Sequence, residues 1–204
     1  MEVNNMEVVK KLIKENDYIT TEWSGGKTTQ LFIYPEDSNY DARNFKFRLS
    51  SATVELGESE FTKLEGIHRF ITPLNGELKL THNHKDYINL KPFEIYEFDG
   101  GINTTSYGIV KDFNLMLGNG VKGELESIYI DREYFLIKEN QSNFNEIFYF
   151  IYAYNNIVYI SFNKEINIIK PFEIFLIKLN GNLDLNLNIN SQNPSDILLA
   201  RIYI

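Results

Sequence analysis

The sequence predicts an all-β protein built from two similar modules. Three observations carry that prediction. The pentapeptide Lys91-Pro92-Phe93-Glu94-Ile95 returns letter for letter as Lys170-Pro171-Phe172-Glu173-Ile174, 79 residues later (170 − 91). Carried back without a gap, that offset pairs Leu78, Leu80 and Leu90 with Ile157, Tyr159 and Ile169, and Asn75-Gly76 with Tyr154-Asn155. A unit of strand, turn, strand and Pro-initiated strand therefore occurs twice, with Pro at a strand beginning where its missing donor is tolerated. No segment carries a long helical period; short apolar runs alternate with Asn-, Gly- and Pro-marked turns. With 204 residues, 43% of them hydrophobic and 14% aromatic, the chain is globular and long enough for two small cores.

Val8 to Ile13 reads as a first strand, and Asn16-Asp17 as the cap of a single helical turn leading to Trp23. Trp23-Ser24-Gly25-Gly26 is a tight glycine turn, followed by a strand from Gln30 to Tyr34 that Pro35 stops. An Asp- and Asn-rich loop spans Glu36 to Asn44. The strand from Phe45 to Val54 has two faces, because side chains alternate with period two: Phe45, Phe47 and Leu49 on one, Arg48, Ser50, Ala52 and Val54 on the other. Gly57 to Gly66 is a turn region, and His68 to Leu74 is the strand feeding the first repeat. Gly100 to Gly108 links that repeat to a strand from Ile109 to Leu117. Glycines at 118, 120 and 123 mark the crossing into the second module, so the expected modules are 1–117 and 118–204, with strand exchange between them allowed.

Composition removes several function classes. A net charge of −8 opposes binding to nucleic acid or anionic membrane, which call for clustered Lys and Arg. With no cysteine there are no disulfides, thiol nucleophiles or zinc ribbons. The most apolar stretch, Ile166 to Leu179, is short and interrupted by Lys170, Glu173 and Lys178, and the first residues carry acids instead of an apolar run. The expectation is a cytoplasmic protein. Gly26-Lys27-Thr28 resembles the tail of a phosphate-binding loop, but Thr21 stands where that motif needs glycine, and a strand follows where it needs a helix. The glycines are better explained by positive φ or a close backbone approach beside Trp23.

Trp23-Ser24-Gly25-Gly26 with Thr28-Thr29, Tyr34-Pro35, Phe47-Arg48-Leu49-Ser50-Ser51-Ala52, Phe61-Thr62, Gly66-Ile67-His68-Arg69, Leu74-Asn75-Gly76 and Asp112-Phe113-Asn114-Leu115-Met116 resemble, in order, the HutD/Ves family. The likeness runs from about Val8 to Met116 and beyond that rests on length and the internal repeat. It implies a bicupin, two double-stranded β-helix barrels in one chain, in agreement with the duplication. It also implies a link to histidine utilisation or stress response, without an assigned reaction.

On a cupin barrel the chemistry of particular residues can be weighed. Gly76 and His82-x-His84 copy the start of the cupin metal motif, but Ile88-Asn89 stands where the carboxylate is needed, and the histidines follow Leu74-Asn75-Gly76 instead of preceding it. Surface histidines at a hairpin tip are the expectation. Arg69 occupies the cupin glutamate position, and a guanidinium cannot ligate a metal. No metal and no cofactor are therefore expected. Arg48, on a small-residue face, needs either a structural ion pair with Glu55, Glu65 or Asp112, or a ligand carboxylate gripped bidentately. Both remain open at this level. The candidate ligand-binding residues are Arg48, Arg69, Trp23, Ser50 and Phe61. No catalytic residue is assigned: Ser50 and Ser51 lack a nucleophile motif, and His68 should point away from Arg69 on its strand. Three readings compete: a metal-free bicupin sensing a small carboxylate metabolite, a metal-independent isomerase or lyase, and an interaction protein dimerising through strand edges.

Overall fold

The computed structural model describes residues 7–132, 135–139, 144–180 and 185–204. The chain opens with β1 (Glu7–Ile13), a 3₁₀ turn at Glu15–Asp17, and the hairpin β2 (Ile19–Trp23) and β3 (Gly26–Tyr34). β2 is absent from the sequence reading, which ran the turn straight to Trp23; its residues are all exposed, so no apolar alternation marks them.

The remaining described strands come as two sets of eight in the same chain order. The first is β4 (Phe47–Val54), β5 (Glu58–Glu60), β6 (His68–Asn75), β7 (Leu78–His82), β8 (Tyr87–Leu90), β9 (Tyr96–Asp99), β10 (Thr104–Tyr107) and β11 (Val110–Leu117). The second is β12 (Lys122–Ile130), β13 (Phe135–Glu139), β14 (Glu146–Ala153), β15 (Val158–Phe162), β16 (Glu165–Ile169), β17 (Ile174–Asn180), β18 (Leu185–Ser191) and β19 (Ser195–Tyr203). Their sheets match strand for strand. The order β4-β11-β6-β9 in one corresponds to β12-β19-β14-β17 in the other, and β5-β10-β7-β8 to β13-β18-β15-β16. β2 and β3 extend the first large sheet beyond β4, and β1 extends the second beyond β17. All pairings are antiparallel. The fold is a bicupin.

The described residues fall into two compact units, Asp17–Val121, and the residues through Asn16 together with Lys122–Ile204. β1 pairs with β17 along its full length, from Glu7↔Asn180 to Ile13↔Ile174, so it lies in the second unit, not in a 1–117 module. The duplicated eight-strand sets themselves begin at Phe47 and Lys122.

The repeated pentapeptide is a turn. Pro92 and Pro171 sit at the second position, and Phe93 and Phe172 at the third have φ of 66° and 69°. Glu94 N–H donates to the Lys91 carbonyl (3.0 Å), as Glu173 does to Lys170 (3.1 Å), which closes type II geometry. Phenylalanine is an uncommon residue at positive φ. It is held there in both copies: its N–H donates to Pro73 O or Ala153 O, and the Glu94 or Glu173 carboxylate accepts from the N–H of Lys91 or Lys170.

The gapless offset fails before this turn. Positive-φ tips Asn83-His84 and Asn163-Lys164 are 80 residues apart, and Leu78 and Val158 face the equivalent Leu90 and Ile169. The true partners of Leu78 and Leu80 are therefore Val158 and Ile160, all at most 1% exposed, whereas Ile157 is 42% exposed. Slipping a strand by one residue moves every side chain to the other face, so burial selects the offset.

Within the second unit the inward faces form one aliphatic cluster that includes Tyr149, Ile151, Val158, Ile160, Ile177 and Leu199. Within the first unit one core cluster gathers around Ile71, Leu78, Leu80 and Phe98 and another around Ile33, Phe45 and Met116.

Candidate functional site

β4 alternates as its sequence requires. Phe47 and Leu49 are fully buried on one face, and Arg48 and Ser50 are buried on the other. In the strand register Arg48 stands opposite Met116 on β11, and Met116 stands opposite Arg69 on β6. Two arginines thus flank one methionine, ~10 Å apart at Cα for two strand spacings. One rung further, Ser50 faces Gln30 on β3 and Asn114 on β11, and the next rung sets Ala52 opposite Asp112. These side chains line a cavity of about 680 Å³ inside the first unit, together with Trp23, Tyr40 and Phe61. All five residues named from sequence line it.

Each guanidinium is held by neutral partners. Arg48 donates from Nε to Gln30 Oε1 (2.9 Å) and from Nη1 to Ser50 Oγ (3.2 Å), with its face against the Tyr40 ring at 4.4 Å. Arg69 donates from Nη2 to Asn114 Oδ1 (2.8 Å) and lies against Phe61 and Phe98 at 4.7 and 5.1 Å. Cation–π packing of this kind accommodates a desolvated cation without neutralising it. Arg69 Nε is buried with no hydrogen-bond partner. Burial lowers Arg48 and pulls Arg69 down to about 10, which leaves Arg69 cationic at neutral pH, and the guanidinium of Arg48 stays charged through its high intrinsic basicity. Among the described residues neither arginine is in an ion pair. The structural bridge to Glu55, Glu65 or Asp112 does not form.

Asp112 is 2% exposed, and its Oδ1 accepts from Ala52 N–H (3.1 Å) and Asn114 Nδ2 (2.6 Å). Burial pushes its carboxyl up to about 7, against the opposing pull of these donors and of Arg69. Asn114 spans the two charged groups, giving its amide N–H to Asp112 and accepting from Arg69 on its oxygen.

Trp23 closes the hairpin opposite Gly26 and is 38% exposed at the edge of the cavity. A Cβ on Gly25 would meet the Trp23 ring at 2.1 Å, and one on Gly26 (φ +148) would meet the Thr53 carbonyl at 2.0 Å. The glycine pair is thus a steric requirement of the tryptophan and of β4. Phe61 is half-buried and serves as the ring under Arg69. Tyr40 escaped the sequence reading because it lies in an irregular loop, where no periodicity marks an inward side chain. Asn114 was legible only as one letter of a family block.

His82 departs from the surface placement expected of it. It is half-buried at the end of β7, with Nδ1 2.9 Å from Thr104 Oγ1 and Nε2 3.0 Å from Tyr96 Oη. Burial lowers its pKa. His84 is exposed at the tip, and His68 faces Glu97 on the side of β6 away from Arg69. Among the described residues no three His, Asp or Glu side chains converge as metal ligands. Nor is any helix there long and apolar enough to cross a membrane.

The HutD family model matches residues 15–192. A conserved protein of unknown function from Pseudomonas aeruginosa PAO1 superposes with a TM-score of 0.83 at 17% identity, covering 96% of this chain and 100% of that one. HutD from Pseudomonas fluorescens SBW25, described in a formate condition, gives 0.70 at 19% identity over 96% and 98% of the two chains. An S161A mutant of oxalate decarboxylase from Bacillus subtilis gives 0.63 at 6% identity, covering 100% of this chain and 78% of that one. Identities this low speak to fold alone. No curated protein matches the sequence.

Proposed function

The chain belongs to the HutD family, and from that premise we propose that its first barrel binds a small organic carboxylate in a metabolite-sensing role. The observation that supports this is a pair of buried guanidiniums, unpaired with any described carboxylate, facing one cavity. A buried cation held only by neutral groups is costly, and a carboxylate is the group whose geometry matches the guanidinium fork. The cavity volume lies within the range of small-molecule sites. A ligand of roughly ten heavy atoms at ~0.5 kcal/mol per atom reaches ~5 kcal/mol, a dissociation constant on the order of 0.1–1 mM. That range suits reporting on an abundant metabolite.

Thermal-shift measurements with formate, small mono- and dicarboxylates and carboxylates of histidine breakdown test the reading, because a ligand of the native state raises apparent stability. Arg69→Met, which keeps bulk and removes charge, should fold and lose the shift. Retention of the shift at full size in that variant overturns the assignment.

Asp112 supports a second reading. A carboxyl near 7 that lines a cavity has the property of a general acid–base group, so a metal-independent lyase or isomerase is the alternative. Following each bound carboxylate by NMR during incubation with the protein separates the two: chemical conversion lost in Asp112→Asn favours the enzyme.

A further inference from the structure

We propose that the first barrel takes up a proton together with its anion, and that Asp112, joined to Arg69 through the Asn114 amide, is the group that accepts it. This rests on the carboxylate reading of the same cavity. The geometry sets up a competition for one cation. Arg69 is the arginine coupled to Asp112, through the chain Arg69 Nη2 to Asn114 Oδ1 (2.8 Å) and Asn114 Nδ2 to Asp112 Oδ1 (2.6 Å). Arg69 is also, with Arg48, the cation that faces the cavity. While the cavity lacks an anion, the field of Arg69 favours the ionised carboxyl and opposes the desolvation that favours the neutral one, and the balance lies near neutrality. A second negative charge at Arg69 cancels that support and adds like-charge repulsion across a buried site. A unit charge roughly 7 Å away at an effective dielectric of ~20 moves a pKa by more than one unit, over tenfold in the protonation equilibrium.

Other groups around the carboxyl do not replace it as the proton acceptor. From β4 it accepts the Ala52 N–H and from β6 it feels the charge of Arg69, while Arg48 shares the cavity lining. Tyr40 and Asp41 from the 36–44 loop and Glu60 from β5 complete the ionisable lining. Among these acids Asp112 alone is fully buried, and that burial raises its carboxyl toward neutrality. Among the described residues no cation forms an ion pair with it. When Asp112 is neutral, its carboxyl can remain an acceptor to Asn114, so the amide keeps its oxygen on Arg69 and the second unit of charge in the site belongs to the ligand.

The linkage has a definite sign. Anion binding raises the Asp112 pKa, so the affinity is highest below about 7 and falls with rising pH, by up to tenfold per pH unit, until the pKa of the bound form is passed. Formate is a suitable probe because it stays ionised throughout. Titration calorimetry of wild-type protein with formate at pH 7.5, in Tris and in HEPES at equal ionic strength, should show uptake of roughly half a proton or more per formate bound. Because the chain holds other groups that exchange protons, Asp112→Asn is the control. In that variant the uptake should vanish and the affinity should become independent of pH between 6 and 8.5. Formate binding to wild-type protein with no proton uptake and no pH dependence overturns the inference and leaves the carboxylate reading standing. Uptake that persists unchanged in Asp112→Asn also overturns it. Absence of formate binding at every pH overturns both.

Discussion

The inward row Arg48–Met116–Arg69 of the first barrel has a counterpart in the second, and the two rows solve the same electrostatic problem in different ways. Following the registers, Arg48 corresponds to Glu124, Met116 to Arg201 and Arg69 to Tyr149. The next rung sets Ser50 and Asn114 against Glu126 and Leu199, and the one after sets Ala52 and Asp112 against Ile128 and Ile197. In the second barrel a single arginine is answered from within: Arg201 Nη1 lies 2.7 Å from Glu126 and 3.3 Å from Glu124, and Tyr203 donates to Glu124. Deeper positions are filled by Ile128, Ile151, Ile197 and Leu199. The first barrel has two arginines, neutral partners and a cavity. The backbone duplication kept the turns and the pairing, while the inward side chains diverged into a largely aliphatic set in the second barrel and a polar, cationic set around a cavity in the first.

If the second barrel is a packed core, cutting into it should have the largest effect. Ile177→Ala, at a site with no exposure, should destabilise by ~2–5 kcal/mol, read as a lowered denaturation midpoint. Removal of the single hydroxyl in Ser50→Ala should change the midpoint far less. Equal effects would erase the contrast between the barrels.

The next test concerns pH. The folded pKa of Asp112 is raised, so the stability it contributes is fully present below the ordinary carboxyl range near 4 and is lost as pH rises through about 7. A melting-temperature decline across that window should flatten in Asp112→Asn. An unchanged decline would place its cause elsewhere.

Depriving Arg201 of its partners tests whether internal pairing matters. Glu124→Ala with Glu126→Ala should cost ~1–2 kcal/mol, a modest value because both glutamates are 41–47% exposed and solvent screens them. Conversely, Met116→Glu sets a carboxylate between Arg48 and Arg69. It should raise stability by about 1 kcal/mol and abolish the formate shift, as an internal stand-in for the ligand. A destabilised Met116→Glu that still binds formate would show that the anion sits elsewhere in the cavity.

The smallest expected change is in the stability of Arg69→Met without ligand. Removing a buried cation that no carboxylate neutralises should be neutral or slightly stabilising, in contrast to the double glutamate variant. Marked unfolding would instead identify Arg69 as a structural residue.

Much of this was legible in the sequence because it depends on local rules. Alternation along 45–54 put Arg48 and Ser50 on one face, and the repeated pentapeptide marked the duplication, although the strand expected to begin at its Pro is a turn between β8 and β9 and between β16 and β17. Trp23, Phe61 and Arg69 were expected beside Arg48 and Ser50, and the structure brings all five residues to one cavity. What the chain did not disclose depends on contacts between distant segments. A single insertion near residue 85 changes the repeat offset from 80 to 79, and only burial of Leu78 and Val158 reveals on which side of the hairpin it falls. β1 looked like part of the first module because it is near it in sequence, but its ladder partner is β17. That Arg48 and Arg69 bond to amide and hydroxyl groups, lie against aromatic rings and form no ion pair among the described residues is likewise a tertiary fact. Side-chain alternation is fixed by backbone geometry within one strand, whereas the partner of a buried charge is set by which strands the closed barrel brings alongside.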